Sequence, residues 1–233
     1  MACNSINGFK NSSRAYTDNW LAASHKALAG SGCVSIKIPS TPAATPANGP
    51  TEPKGLQKAV FAGGCFWGVD AVFKHVKGVT GVKSGYSGGS KETADYETVS
   101  TGKTGHAESV EVTFDPAKVT YQQLLTVFFS VAHDPTELNY QGPDHGTQYR
   151  SAIFYADDDQ KKIAEAFIDA INKSKVFSTP VVTQVAPLKA FYPAEDYHQN
   201  YLALHPDDAY IVYNDIPKVA ALKQKFPDLY SDK

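Results

Sequence analysis

Ala59-Val60-Phe61-Ala62-Gly63-Gly64-Cys65-Phe66-Trp67-Gly68 runs from a short apolar stretch through two glycines into a helical pattern. Beyond Cys65, Phe66, Val69, Val72, Phe73 and Val76 recur at helical spacing, and Gly78 follows as a stop signal. The reading is strand, tight turn, helix, with the cysteine at the helix start. Backbone N–H groups at a helix N-terminus carry partial positive charge, and a thiol placed there is expected to favour its thiolate, the nucleophilic form. In the opposite direction, the same glycines merely permit the turn.

Outward from this unit, Val79 to Tyr86 reads as a strand before the loop Ser87-Gly88-Gly89-Ser90. The next strand alternates: Val110, Val112 and Phe114 share one face, and Ser109, Glu111, Thr113 and Asp115 take the other. Thr120 is placed to cap a helix through Ala132, which carries Leu124, Leu125, Val127, Phe128 and Val131. Residues 133–148 form a polar loop without a regular pattern. A strand over 151–156, a helix opening at Asp157 and a strand over 181–185 follow, and after Pro187 only short helical pieces near 195–204 and 217–225 are expected. Strands interleaved with helices predict an α+β fold: a ferredoxin-like two-layer sandwich with a mixed β-sheet, flanking helices and a long irregular C-terminal segment. Residues 1–55, rich in Ser, Asn, Ala, Thr and Pro, read as a flexible N-terminal extension and linker, leaving 56–233 as the folded domain.

The charge balance excludes some partners. A net charge of −2 gives no basis for nucleic acid or an anionic membrane as partner. No apolar run approaches the roughly 18 residues of a spanning helix. Cys3, Cys33 and Cys65 form no C-x-x-C pair, and the seven histidines show no ligand spacing near a cysteine, so no metal is expected. The stretch Trp20 to Cys33 has small and apolar residues, but His25 and Lys26 interrupt any export-signal core. A monomer in the cytoplasm is the expectation, with export or an organelle left open by the extension.

Glu108 draws attention by parity, because it shares its strand face with Val110, Val112 and Phe114. If that face is enclosed, desolvation raises the carboxyl pKa into the range of a general acid; at the rim it would be an ordinary surface acid. Tyr96 and Tyr149 flank polar segments, Ala94-Asp95-Tyr96-Glu97 and Asp144-His145-Gly146-Thr147-Gln148-Tyr149-Arg150, where their hydroxyls are suited to hydrogen-bond a developing oxyanion. Asp144 reads equally as a turn residue. His106, His145 and His198 are candidate bases or ordinary structural histidines. A cysteine hydrolase pairing Cys65 with His106 or His198, and a binding module caging a thioether between Phe66 and Trp67, are the alternatives to redox chemistry.

Taken together, Gly64-Cys65-Phe66-Trp67-Gly68, Gly105-His106-Ala107-Glu108, Gly142-Pro143-Asp144-His145-Gly146-Thr147-Gln148-Tyr149-Arg150-Ser151 and Ala194-Glu195-Asp196-Tyr197-His198-Gln199-Asn200-Tyr201-Leu202 closely resemble the A-type peptide-methionine sulfoxide reductases, in matching order from about Ala59 to Pro206. The resemblance implies reduction of the S epimer of methionine sulfoxide, free or in oxidised proteins, for protein repair. It implies that Cys65 attacks the sulfoxide sulfur and becomes a sulfenic acid, and that Glu108 protonates the oxygen, with Tyr96 and Tyr149 hydrogen-bonding it. Phe66 and Trp67 would hold the S-methyl group, and Asp144 would organise the polar side. No bound cofactor is implied, only a thiol reductant. Many members carry resolving cysteines near the C-terminus, whereas no cysteine follows Cys65 here. Regeneration then falls to thioredoxin, glutaredoxin or glutathione, the preferred expectation, or to Cys3 or Cys33.

Overall fold

The computed structural model describes residues 55–232, all within a compact unit spanning Thr45–Lys233. The proposed extension over 1–55, with Cys3 and Cys33, therefore lies outside the described residues except for Gly55. Strand β1 (Gln57–Gly63) enters helix α1 (Phe66–Lys74), and β2 (Val79–Ser87) follows. One helical turn, α2 (Tyr96–Val99), precedes β3 (Ala107–Phe114), and α3 (Tyr121–Val127) continues as a wider turn over Phe128–Ala132. A small hairpin of β4 (Tyr140–Gln141) and β5 (Asp144–His145) leads to β6 (Ser151–Tyr155) and α4 (Asp158–Ser174). The remainder holds β7 (Gln184–Pro187), β8 (Phe191–Pro193), α5 (Tyr201–Leu204) and α6 (Ile216–Lys225).

The expected α+β sandwich is the architecture adopted. The main sheet has the order β7-β6-β1-β3-β2-β8. Its centre, β6-β1-β3-β2, is antiparallel throughout, the arrangement two interleaved β-α-β units produce. The parallel edge strand β7 makes the sheet mixed. On one face Phe61 stacks on Phe73 of α1, on Tyr121 and on Phe128, with ring centroids 5.0–6.0 Å apart. Each such buried ring contributes about 1.5–3 kcal/mol to holding the helices on the sheet.

Several local expectations are corrected. Ser109 does not point into solvent, although it has the opposite parity to Val110. It is 1 % exposed, because Val60, Ala62, Ala107, Ala152 and Phe154 form a second apolar cluster that Ala186, Leu188 and Phe191 pack against. The loop 133–148 contains the β4–β5 hairpin, too short to show periodicity. The strand expected at 181–185 forms at Gln184–Pro187, and the segment after Pro187 contributes β8 to the sheet edge beside β2.

Thr120 caps α3 as expected, and reciprocally. Its hydroxyl accepts from Gln123 N–H at 3.2 Å while the Gln123 side chain accepts from Thr120 N–H at 2.9 Å. Thr120→Ala is expected to lower unfolding stability by about 0.5–2 kcal/mol with turnover unchanged, measurable by urea titration.

Candidate active site

Cys65 is the N-cap of α1, at the turn out of β1. Gly64 adopts φ +86°, and a Cβ there would lie 2.6 Å from the Gln141 Cβ, so the turn requires glycine both for its backbone and for close approach of β4. Gly68 meets a different neighbour: a Cβ there would collide with Asp215 Oδ1. The two glycines flanking Cys65-Phe66-Trp67 thus let segments far away in the sequence close around the thiol.

The helix start does not leave its N–H groups to the thiol alone. Phe66 N–H donates to Glu108 Oε2 at 3.0 Å, across a separation of 42 residues. Glu108 is 2 % exposed, paired with Tyr86 on β2, and on the inward face that parity assigned. Burial, together with the nearby Asp144 and Asp215 carboxyls, pushes its pKa up to about 8, against the opposing pull of the Phe66 N–H. At neutral pH Glu108 is therefore a neutral acid that holds a proton.

The expected thiolate is corrected. Burial raises the Cys65 pKa well above its ordinary value, and the carboxyls of Glu108, Asp215 and Asp144 push the same way, while the Trp67 backbone N–H opposes them. Removal from water and like-charge neighbours outweigh the helix terminus, so the resting group is a thiol.

The structure brings the other candidates to the same place. Tyr149 and Tyr96 both feel the charges of Glu108 and Cys65, and burial raises both phenols, which remain protonated donors. Tyr149 follows the hairpin in a single 3₁₀ turn, and Arg150 ties this turn to the entry of β3. The Arg150 guanidinium donates to the carbonyls of Gly105, His106 and Thr147 at 2.9–3.0 Å. Tyr96 opens α2, where Glu195 Oε1 accepts from its backbone N–H at 2.9 Å. Phe66 is buried among Tyr86, His198 and Trp67, with centroids 5.0–6.4 Å away. Trp67 is partly exposed and lies flat on Tyr201, 3.7 Å between centroids.

The candidate histidines are not paired with Cys65. His198 Nδ1 accepts from the Trp67 indole N–H at 3.2 Å, and burial lowers its pKa, keeping the ring neutral. His106 Nδ1 accepts from Gly89 N–H at 3.2 Å, with Nε2 2.8 Å from the Ser90 carbonyl. His145 is exposed and stacks on Tyr140. Both of the histidines a hydrolase would pair with Cys65 are thus bonded elsewhere, and the carboxyl that acts on the thiol is Glu108, which counts against that alternative. Among the described residues no group of three or more His, Cys, Asp or Glu is arranged to hold a metal ion.

Two members of the site carry no signal in the sequence. Tyr210 donates a short hydrogen bond to Asp144 Oδ2 and stands edge-on to Trp67. Asp215 is fully buried against Gly68. Both come from the segment expected to be irregular, where no periodicity marks an inward face.

A buried thiol beside a neutral carboxylic acid, two phenol donors and an apolar wall is suited to a polar S–O or C–O group that needs a proton as a sulfur nucleophile attacks. The sequence model for peptide methionine sulfoxide reductase matches residues 57–230. The chain belongs to the peptide methionine sulfoxide reductase family. It is 64 % identical over 179 residues to a peptide methionine sulfoxide reductase from Mesorhizobium japonicum, covering 77 % of this chain and 92 % of that one. A counterpart from Synechocystis is 51 % identical, with 78 % and 84 % covered. Among solved structures, methionine sulfoxide reductase A of Corynebacterium diphtheriae aligns with a TM-score of 0.58 and 34 % identity, over 67 % of this chain and 77 % of that chain. The reduced form of Mxr1 from Saccharomyces cerevisiae aligns with a TM-score of 0.61 and 32 % identity, over 67 % and 89 %. This methionine sulfoxide reductase is thus an oxidoreductase acting on sulfur, which repairs oxidised methionine. A purely binding role for the chain is thereby set aside. No helix among its described residues is long and apolar enough to cross a membrane.

Proposed function

We propose that the folded domain, 56–233, reduces the S epimer of methionine sulfoxide, free and in proteins, through a sulfenic acid on Cys65. The observation that carries this reading is the Glu108 carboxyl on the Phe66 N–H, held protonated beside the buried thiol. A sulfoxide oxygen leaves poorly until protonated, and Glu108 supplies that proton while Tyr96 and Tyr149 donate hydrogen bonds to the oxygen. Cys65 sulfur attacks the sulfoxide sulfur, with Phe66 and Trp67 against the S-methyl group and Asp144 on the polar side. In net terms the oxygen passes from methionine sulfoxide to the thiol: Cys–SH and sulfoxide become Cys–SOH and methionine.

A methyl-sized apolar contact discriminates by only about 1–3 kcal/mol, so epimer choice rests on where the oxygen donors lie relative to Cys65. Two equivalents of an external thiol, such as thioredoxin, glutaredoxin or glutathione, return Cys–SOH to Cys–SH, forming a disulfide and water. Cys65 is the one cysteine among the described residues, and this external route is the one proposed, with Cys3 and Cys33 as the internal alternative. The proposed setting is the cytoplasm, with the protein acting as a monomer.

Incubation of peptides bearing each sulfoxide epimer with dithiothreitol tests the reading. The S epimer is expected to be reduced and the R epimer spared, and Cys65→Ser is expected to abolish turnover. Reduction of neither epimer, or activity retained by Cys65→Ser, would overturn it. Mass spectrometry after one turnover without reductant should find one added oxygen on Cys65 in place of a disulfide to Cys3 or Cys33.

A further inference from the structure

Glu195 opens the 3₁₀ turn Asp196–His198 that leads towards α5, yet its side chain does not cap that turn. It reaches instead to two distant elements of the site. Oε1 accepts from the backbone N–H of Tyr96, the first residue of α2, at 2.9 Å across 99 residues. Oε2 accepts from the Tyr86 hydroxyl at 2.9 Å across 109 residues. Tyr86 is itself 0 % exposed, stands opposite Glu108 in the β2–β3 pair, and lies 5.9 Å from the Phe66 ring. The C-terminal segment is fastened to the sheet without these bonds. β8 pairs with β2, Ala194 N–H donates to the Ser84 carbonyl at 2.9 Å, and the Gln199 amide bonds both the N–H and the carbonyl of Ser84 at 3.0 Å. What the Glu195 carboxylate adds goes to Tyr86 and Tyr96.

A helix of one turn, such as the four residues of α2, does not sustain itself. Asp95 accepts from the Thr98 N–H at 3.0 Å, which leaves the Tyr96 N–H to Glu195. The Tyr96 ring lies against His198, three residues after Glu195, with centroids 4.5 Å apart. One short stretch of chain thus holds Tyr96 by its backbone and by its ring.

We propose that Glu195 is a positioning residue: by binding the Tyr96 N–H it fixes the place from which the Tyr96 phenol meets the sulfoxide oxygen. The inference rests on the proposed reading of Tyr96 as a donor to that oxygen. A donor aimed at developing charge contributes only when held at the right distance, and a misplacement of about 1 Å can cost about 10²-fold in rate. The apolar wall is held by other means. Trp67 stacks on Tyr201 and donates to His198, whose Nε2 is 3.9 Å from Glu195 Oε2, beyond hydrogen-bond reach. Loss of the Glu195 carboxylate therefore acts on the rate of oxygen transfer and spares the seating of the S-methyl group.

The test is a mutant cycle on the full chain in a Tyr149→Phe background, where Tyr96 is the remaining phenol donor. The readouts are the maximal single-turnover rate of methionine formation from an S-sulfoxide peptide and the peptide concentration giving half that rate. Glu195→Ala is expected to lower the maximal rate about 10–100-fold and to leave the half-saturating concentration unchanged. Tyr96→Phe should lower the rate at least as far, and adding Glu195→Ala to it should lower it no further. Glu195→Gln, whose amide oxygen still accepts from the Tyr96 N–H, should recover most of the loss. If Glu195→Ala strands the Tyr86 hydroxyl and does not fold, the double variant Y86F/E195A takes its place with the same expectations. Losses that multiply with Tyr96→Phe, an equal loss in Glu195→Gln, or a raised half-saturating concentration would overturn the role of Glu195. So would an unaffected rate in Glu195→Ala beside a slowed Tyr96→Phe, which would leave the proposed function standing. An unaffected rate in Tyr96→Phe would instead remove Tyr96 from the proposed mechanism, and this inference with it.

Discussion

Glu108→Gln is expected to lower turnover by about 10²–10⁴-fold and, at alkaline pH, to make the protein more stable than the wild type. The loss of activity follows from the missing proton: an amide fills the same space and accepts the same Phe66 N–H but cannot protonate a leaving oxygen. The gain in stability follows from the raised pKa. In the unfolded chain Glu108 ionises near 4.5, and in the folded protein near 8. Between these values the native state binds the proton that the unfolded state has released, so stability is fully present below about pH 4.5 and is lost as pH rises to about 8. The loss runs at up to about 1.4 kcal/mol per pH unit across that window. Glutamine does not titrate and escapes it. Urea unfolding of both proteins from pH 5 to pH 9 should show a difference that widens in favour of Glu108→Gln as pH rises. A difference independent of pH would mean that Glu108 ionises normally in the folded protein.

Gly64→Ala carries the second large effect. The residue must hold φ +86°, which costs a non-glycine residue about 1–3 kcal/mol, and its methyl group would lie 2.6 Å from the Gln141 Cβ. Gln141 has little freedom to retreat. Its side-chain oxygen accepts from Asp134 N–H at 3.0 Å and its amide donates to the Asp134 carbonyl at 2.6 Å. Overpacking of this kind adds about 1–3 kcal/mol, for a combined destabilisation of about 2–6 kcal/mol in thermal or urea unfolding. Because Gly64 sets the direction from which the Cys65 side chain leaves the backbone, kcat should fall in whatever fraction remains folded. Stability within about 0.5 kcal/mol of wild type would show that the turn tolerates a side chain.

Local features were readable where their physics is local. The turn at Gly63-Gly64, the cap at Thr120 and the helical spacing after Cys65 each depend on neighbours within a few residues. Glu108 was legible for the same reason: strand side chains alternate with a period of two, so Val110, Val112 and Phe114 settle which face it takes. The same rule failed at Ser109, because parity assigns a face but not what covers it. That cover comes from Phe154 on β6 and Phe191 on β8, far along the chain. Tyr210 and Asp215 were invisible, lying in a stretch without periodicity, and Tyr210 meets Asp144 across 66 residues.

Cys65 shows where the division falls. Its sequence alone determined that a cysteine stands at the strand-to-helix turn, flanked by aromatic residues and by glycines that allow close approach. Its protonation state was decided only by the tertiary structure. The helix terminus that favours a thiolate acts over one turn, and the Phe66 N–H there is already bound to Glu108. Burial and the carboxyls delivered from β3, β5 and the C-terminal segment act together against it, and in a site shut off from water they prevail.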